Sequence, residues 1–263
     1  MAPSAAPAAA PRTNVLGVGI SAIDLTATVR IIDHWIQSGA RTYVCVTGVH
    51  GVMESQADDD LRRIHNAAGL VTPDGMPMVW LSRWHGHKHV DRVYGPDLML
   101  EILAQSAERG YRHYFYGGAD GVPEKLAAAM QQRYPGLRVT GTYSPPFRVL
   151  SDAEDTAAVR RINECAPDIV WVGLSTPKQE RWMAGHVGRI AAPVMIGVGA
   201  AFDFHAGLKR QAPVWVQRSG FEWLYRLLQE PKRLARRYLV NNPRFLARIA
   251  MQLTGLKGYR LDD

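Results

Sequence analysis

The sequence predicts an α/β protein: a parallel sheet with helices on both faces, followed by a basic helical appendage at the C-terminus. Three observations carry this. Between Asn14 and Gly207, short β-branched runs alternate with helical stretches, the pattern of successive strand–helix–strand units. Beyond Gly207 no strand-like run occurs, and Pro213, Pro231 and Pro243 punctuate an Arg-rich helical pattern. The positive charge is also confined there. Residues 206–263 hold twelve Lys/Arg against four Asp/Glu, whereas residues 1–205 hold nineteen against twenty, in a chain of formal net charge +7. With 263 residues and 47% hydrophobic composition, the chain can build one sizeable core but not a second full domain.

In chain order, MAPSAAPAAAPR (1–12) cannot bury a packed face and reads as a disordered tail. It lacks the charged start and long apolar run of a signal peptide. The core is assigned to 13–207, with strands over 41–47, 112–117, 137–143, 168–174 and 193–199. Helices are expected over 24–38, 50–66, 97–109, 121–133 and 151–165, the last started by Ser151 with Asp152 and Glu154 in its first turn. The appendage is assigned to 208–263. There Leu224, Leu227, Leu228, Leu234 and Tyr238 form an apolar stripe, and Arg226, Arg233, Arg237 and Arg244 recur on another face. No apolar segment approaches the roughly 18 residues needed to span a bilayer, so a soluble or peripheral protein on the cytoplasmic side is expected. Cys45 and Cys165 stand apart in apolar surroundings and read as buried free thiols in a reducing compartment.

Parallel α/β sheets bind ligands beyond the C-terminal ends of their strands, which directs attention to Thr47, Gly117-Gly118, Ser175 to Glu180, and Gly199 to Asp203. FYGG (115–118) before a helix can bring backbone N–H groups to a phosphate, or can be a plain turn. WVGLSTPKQERW (171–182) delivers dense polar chemistry to one strand end. Lys178 can neutralise a phosphate and Gln179 can read a base or ribose, beyond what helix capping requires. Asp74 in TPDGMPMVW is explained by Asp-Gly turn chemistry, and equally suits a general base. Asp58-Asp59-Asp60 opens a helical stretch and reads as a solvated terminus rather than a metal-binding pair. His85, His87 and His89 alternate as on a strand, but lack the neighbouring ligands of a metal site. Interleaved Trp and Arg over 197–238 suit interfaces and phosphates. GVGIS (17–21) leaves GxGxxG incomplete and no GxxxxGK[ST] occurs, which argues against a dehydrogenase or NTPase.

Asp74-Gly75 with MPMVW behind it, RVYGPDL (92–98), FYGG, WVGLSTPKQERW, GVGAAFDFHAG (197–207) and the tail EWLYRLLQEPKRLARRYL (222–239) together resemble the TagA/WecG/CpsF family of glycosyltransferases over nearly the whole chain. The resemblance implies a Rossmann-like core and an inverting, metal-independent enzyme without a cofactor. It would move a sugar from a UDP-sugar donor to a polyprenyl-diphosphate-linked acceptor, as a peripheral protein on the cytoplasmic face of a bacterial inner membrane. By the same resemblance Asp74 is the general base, and Thr47 the strand-end threonine of the same cleft. The Gly48-Val49-His50 that follows departs from the family's Asn-containing version. Gly117, Gly118, Ser175, Lys178, Gln179, Arg92 and Asp97 are implied for the nucleotide-sugar site. Arg210, Arg218, Arg226, Arg233, Arg236 and Arg237 are implied for the acceptor diphosphate or an anionic membrane surface.

VTGVHGVMES (46–55) is similar to the exopolysaccharide branch that includes the xanthan-type β-1,4-glucosyltransferase, which favours glucose from UDP-glucose; N-acetylmannosamine or its uronic acid is the alternative. Two other classes compete. An NAD-dependent oxidoreductase would need the fingerprint missing above. A non-catalytic module binding phosphate or nucleic acid would use the basic tail, but its Trp/Leu-rich helix and the lack of a nucleic-acid motif favour membrane over nucleic acid.

Overall fold

The computed structural model describes residues 10–261. Residues 1–9 of the expected tail lie outside that range, while Arg12 already belongs to a strand. In chain order the elements are β1 (Arg12–Val15), β2 (Val18–Ser21), α1 (Leu25–Ser38), β3 (Thr42–Thr47), α2 (Val49–Glu54), α3 (Asp59–Ala67), β4 (Leu70–Pro73), α4 (Met76–Trp84), α5 (Gly95–Arg109) and β5 (Arg112–Gly117). There follow α6 (Val122–Arg133), β6 (Arg138–Tyr143), α7 (Asp152–Glu164), β7 (Ile169–Gly173), α8 (Lys178–His186), β8 (Val194–Gly197), α9 (Ala201–His205), α10 (Val214–Ser219), α11 (Glu222–Gln229) and α12 (Pro231–Leu253).

Six of the strands form one parallel sheet in the order β4-β3-β8-β7-β5-β6, and β1 and β2 make a separate antiparallel hairpin. The chain runs outward from β3 to β4, then crosses to the other side of the sheet for β5 to β8, so connections diverge at the ends of β3 and β8. Such a divergence opens a crevice at the carboxyl ends of the strands. Side-chain alternation along the strands fills both faces. Val44, Phe115, Trp171 and Ile196 point into one core with α1, α5 and α6. Tyr43, Cys45, Tyr114, Val170 and Met195 point into the other.

Several elements depart from the sequence expectations for local reasons. The stretch 50–66 is two helices, because Asp58 accepts the amide of Leu61 at 3.0 Å and caps a fresh start at α3. β4 and the β1–β2 hairpin are four-residue strands, too short to print a periodicity. The hairpin turns on Leu16 and Gly17, both at positive φ. His85, His87 and His89 follow α4 in turns rather than on a strand; His85 Nδ1 lies 2.8 Å from the Leu81 carbonyl and His89 Nε2 2.9 Å from that of Ala22. Cys45 is buried and Cys165 half-buried, both free.

The helical segment after Gly207 starts outside the sheet and ends inside the core. Glu230 separates α11 from α12, with Pro231 at the first turn of α12, and α12 continues through Pro243. Leu234 and Tyr238 are buried on α12, as are Phe245 and Ile249, which join the core shared with the β1–β2 hairpin. Gln252 closes this contact by donating to the Asn14 carbonyl and accepting the Leu16 amide, each at 2.9 Å. Among the described residues no helix is long and apolar enough to cross a membrane.

Candidate active site

At the carboxyl ends of β3, β4 and β8 lies a cleft of about 700 Å³, roofed by α10, α11 and α12. Asp74 is placed at its floor by the pairing of β3 with β4. Thr47 sits opposite Pro73, and the Asp74 amide donates to the Thr47 carbonyl at 3.0 Å. The two strand-end turns touch so closely that a Cβ on Gly48 would lie 2.6 Å from the Asp74 carbonyl oxygen. Gly75, at φ 96°, then turns the chain into α4. Gly48→Ala should therefore push Asp74 off its position and lower kcat by about tenfold or more without abolishing folding, which a melting curve measured beside the turnover assay will show.

The Asp74 carboxylate opens onto the cleft, but the walls around it remove most of its hydration. Burial pushes its carboxyl up to about 6, with Glu222 acting in the same direction and Arg92, Arg226 and Arg237 pulling it down. A carboxylate so placed is ionised at neutral pH and more basic than an ordinary aspartate. Arg92 comes nearest, its Nη2 3.6 Å from Asp74 Oδ1. The same guanidinium donates to Gln217 at 2.8 Å and to Glu222, and lies 4.0 Å above the Tyr94 ring.

The roof is cationic. Arg226, Arg233 and Arg237 line the cleft. Arg233 is bound to Glu230, which also holds Lys209 at 3.1 Å. Arg237 is the unsatisfied member. Among the described residues its Nε has no hydrogen-bond partner, and burial, with Arg226 and Arg233 nearby, draws its pKa down to about 10. His50 lines the same wall and is kept neutral, held at about 3 by burial and then by Arg237. Like charges drawn together on one wall, two of them half-buried and one with an unpartnered donor among the described residues, are arranged to receive an anion.

Of the remaining residues expected from sequence, Ser175 and Gln179 line the cleft. Ser175 holds φ 63°, a left-handed conformation rare for a non-glycine residue. Gln179 is buried and donates to Glu180 Oε1 at 3.0 Å, leaving its own buried carbonyl oxygen without a partner. Thr47, Gly117, Gly118, Lys178 and Asp97 stand outside the cleft wall. Thr47 is buried beneath Gly51, where its hydroxyl has no partner. Gly117 and Gly118 serve strand packing. A Cβ on Gly117 would lie 2.7 Å from the backbone of Gly173, and the Gly118 amide donates to the Gly173 carbonyl at 3.0 Å. Lys178 and Asp97 are exposed in the first turns of α8 and α5, although Asp97 stays within electrostatic reach of Arg92, Glu222 and Arg218, and burial raises its carboxyl. Arg210, Arg218 and Arg236 are likewise exposed, outside the cleft.

Asp58, Asp59 and Asp60 are engaged by Arg181, Arg62 and Arg63 respectively. Among the described residues there is no group of three or more His, Cys, Asp or Glu arranged to hold a metal ion. Sequence reasoning passed over Gln217 and Glu222, whose partner Arg92 is 125 and 130 residues away. It also passed over an apolar arm of the cleft, where Met76, Pro77, Trp80 and Trp84 of α4 face Leu246 and Leu253 of α12. Trp84 is 77% exposed there, although a tryptophan free in water is unfavourable.

Comparison with known proteins adds the following. The Glycosyl transferase WecG/TagA/CpsF family matches residues 13–258. The chain is similar to the N-acetylglucosaminyldiphosphoundecaprenol N-acetyl-beta-D-mannosaminyltransferase of Staphylococcus aureus strain MW2, with 32% identity over 185 residues, 70% of each chain. The enzymes of the same name from strains NCTC 8325 and COL match to the same extent.

Proposed function

Because the chain belongs to the WecG/TagA/CpsF family of glycosyltransferases, we propose that it transfers N-acetylmannosamine from a UDP-linked donor to a polyprenyl-diphosphate-linked N-acetylglucosamine, inverting the anomeric centre without a metal. The observation that carries the reading is the position of Asp74, where a cationic roof meets an apolar arm within one cleft. The acceptor hydroxyl attacks the anomeric carbon while Asp74 takes its proton, and UDP departs from the opposite face. Arg226, Arg233 and Arg237 offset the diphosphate charge that a metal offsets in other transferases. Ser175 and Gln179 face the donor. The Trp80–Trp84 face and α12 take the apolar chain of the acceptor.

The names of the similar enzymes favour N-acetylmannosamine over the glucose anticipated from VTGVHGVMES. That segment folds mainly as α2; Val52 and Met53 are buried in the core, while Val46, Gly48, Val49, His50 and Gly51 line the cleft. Family membership likewise displaces the oxidoreductase reading and the reading as a non-catalytic module.

Exposed Val214, Trp215 and Leu228, with Arg210, Arg218 and Arg236, support peripheral attachment to an anionic cytoplasmic membrane face, at about 1 kcal/mol per basic residue near the surface. Transfer of labelled sugar from a panel of UDP-sugars to a polyprenyl-diphosphate-N-acetylglucosamine, with EDTA present, tests the proposal. Activity with UDP-N-acetylmannosamine should survive chelation and rise with pH through about 6, as Asp74 loses its proton. Preference for UDP-glucose would overturn the donor assignment, and loss on chelation the metal-independent mechanism.

A further inference from the structure

We infer that Glu222 is a positioning residue for Asp74: by holding Arg92 from the α11 side, it keeps the guanidinium from closing into a full ion pair with the base, so the site is competent only while α11 is seated. The inference rests on Asp74 being the general base. Its geometry is a competition for one cation. Arg92 is nearly enclosed, with 9% of its side chain exposed, and its Nη2 hydrogen-bonds Glu222 while standing 3.6 Å from Asp74, outside hydrogen-bonding range. Nη1 is fixed by Gln217 at 2.8 Å, and the Tyr94 ring beneath fixes the plane of the fork. The Gln217 amide in turn donates to the Ala212 carbonyl at 2.8 Å, tying the contact to the start of α10.

Both anchors of Arg92 thus come from the helical appendage, and the residue they restrain belongs to the core. The charged groups facing Asp74 are Arg92 from the loop after α4, Glu222 and Arg226 from α11, and Arg237 from α12, with the Tyr94 hydroxyl close by. Glu222 is the one anion among them, and it offsets part of a cationic field that would otherwise stabilise the ionised base and weaken it; Asp97 of α5 acts on Arg92 as well, from the exposed side. Among the described residues Arg92 Nε has no partner, so once Glu222 is neutral only Gln217 and the Tyr94 ring restrain the guanidinium from a shift toward Asp74.

The test uses the full chain with Glu222→Gln, following the Asp74 carboxyl by carbon-detected NMR titration and measuring kcat and KM against pH. The Asp74 titration should move down by about one pH unit, the effect of strengthening an opposite charge beside a carboxylate. The acid limb of kcat should follow it, and the plateau should fall severalfold with little change in donor KM. Glu222→Asp should shift both in the same direction by less, and it carries the test if circular dichroism shows that Glu222→Gln does not fold. Against an Arg92→Met background, adding Glu222→Gln should lower the Asp74 titration by clearly less than it does in the wild type, leaving only the direct repulsion of Asp74 by Glu222, a non-additivity expected of groups that act through one another. An unmoved titration in the folded variant, with Asp74→Asn inactive, would overturn the role of Glu222 and leave the base assignment standing. Full activity in Asp74→Asn would overturn both.

Discussion

Asp74→Asn is expected to lower kcat by about 10²–10⁴-fold, the usual contribution of a positioned general base, while leaving the affinity for the UDP-sugar unchanged. The two amide and carboxylate side chains have the same shape, and Arg92 keeps Glu222 and Gln217 as partners in the variant, so the cleft should persist. Stability should move the other way from activity. The folded protein holds the Asp74 proton more tightly than the unfolded chain does, since burial raises its pKa from 3.8 to about 6. The proton-linked stability is therefore full below the unfolded pKa and is lost as pH rises through the folded one. Above pH 6 the wild type bears the whole cost of an ionised, poorly hydrated carboxylate, and asparagine removes it. The variant should melt no lower than wild type at pH 7.5, and any advantage should vanish near pH 4. A melting temperature well below wild type at pH 7.5, or kcat within a few-fold of it, would contradict this account. Loss of activity without loss of stability marks a group kept for chemistry.

Arg237→Gln should lower kcat/KM by about 10²–10³-fold, comparable with removing one preorganised donor from a charge-stabilising site. Its melting temperature should stay within a few degrees of wild type, because the native arginine forms no ion pair among the described residues and is repelled by Arg226 and Arg233. Arg244→Gln, exposed further along the same helix, provides the contrast and should retain near-normal turnover. Equal losses in the two variants would mean that the helix contributes overall charge rather than a site for one diphosphate. The salt dependence of kcat/KM separates these cases as well, since screening acts strongly on exposed charges and weakly on enclosed ones.

How far the sequence discloses this site depends on the range of the interactions involved. The strands over 112–117 and 193–199 are legible because both faces of a parallel sheet are buried, which demands continuous apolar runs. Ser175 and Gln179 are legible through a topological rule, that polar residues just past parallel strands face the crevice, whereas Asp74 follows a strand too short to be read and is reached only through its Asp-Gly turn and the family resemblance. Gly117-Gly118 misleads under the same rule. A glycine required by the neighbouring Gly173 backbone looks, in one dimension, the same as a glycine required by a phosphate. Among the six arginines assigned to acceptor or membrane, helical spacing alone does not separate Arg226, Arg233 and Arg237 from Arg210, Arg218 and Arg236. The division appears only when α11 and α12 fold as separate helices over the cleft. Glu222 is the least legible, because its chemistry exists only in relation to Arg92, 130 residues earlier.

The clasp between Gln252 and the hairpin residues Asn14 and Leu16 joins segments 238 and 236 residues apart in the chain, and so fixes when the enzyme comes into being. Translation delivers every strand of the sheet before it delivers α12, and folding of the early elements proceeds as they emerge. Until α12 arrives, Asp74 faces water without the roof that dehydrates it, and its carboxylate is a base of ordinary strength. On the proposed function, a nascent or prematurely terminated chain would therefore present the donor cleft before the base is activated, and catalytic power would come last, with the helix that roofs the cleft.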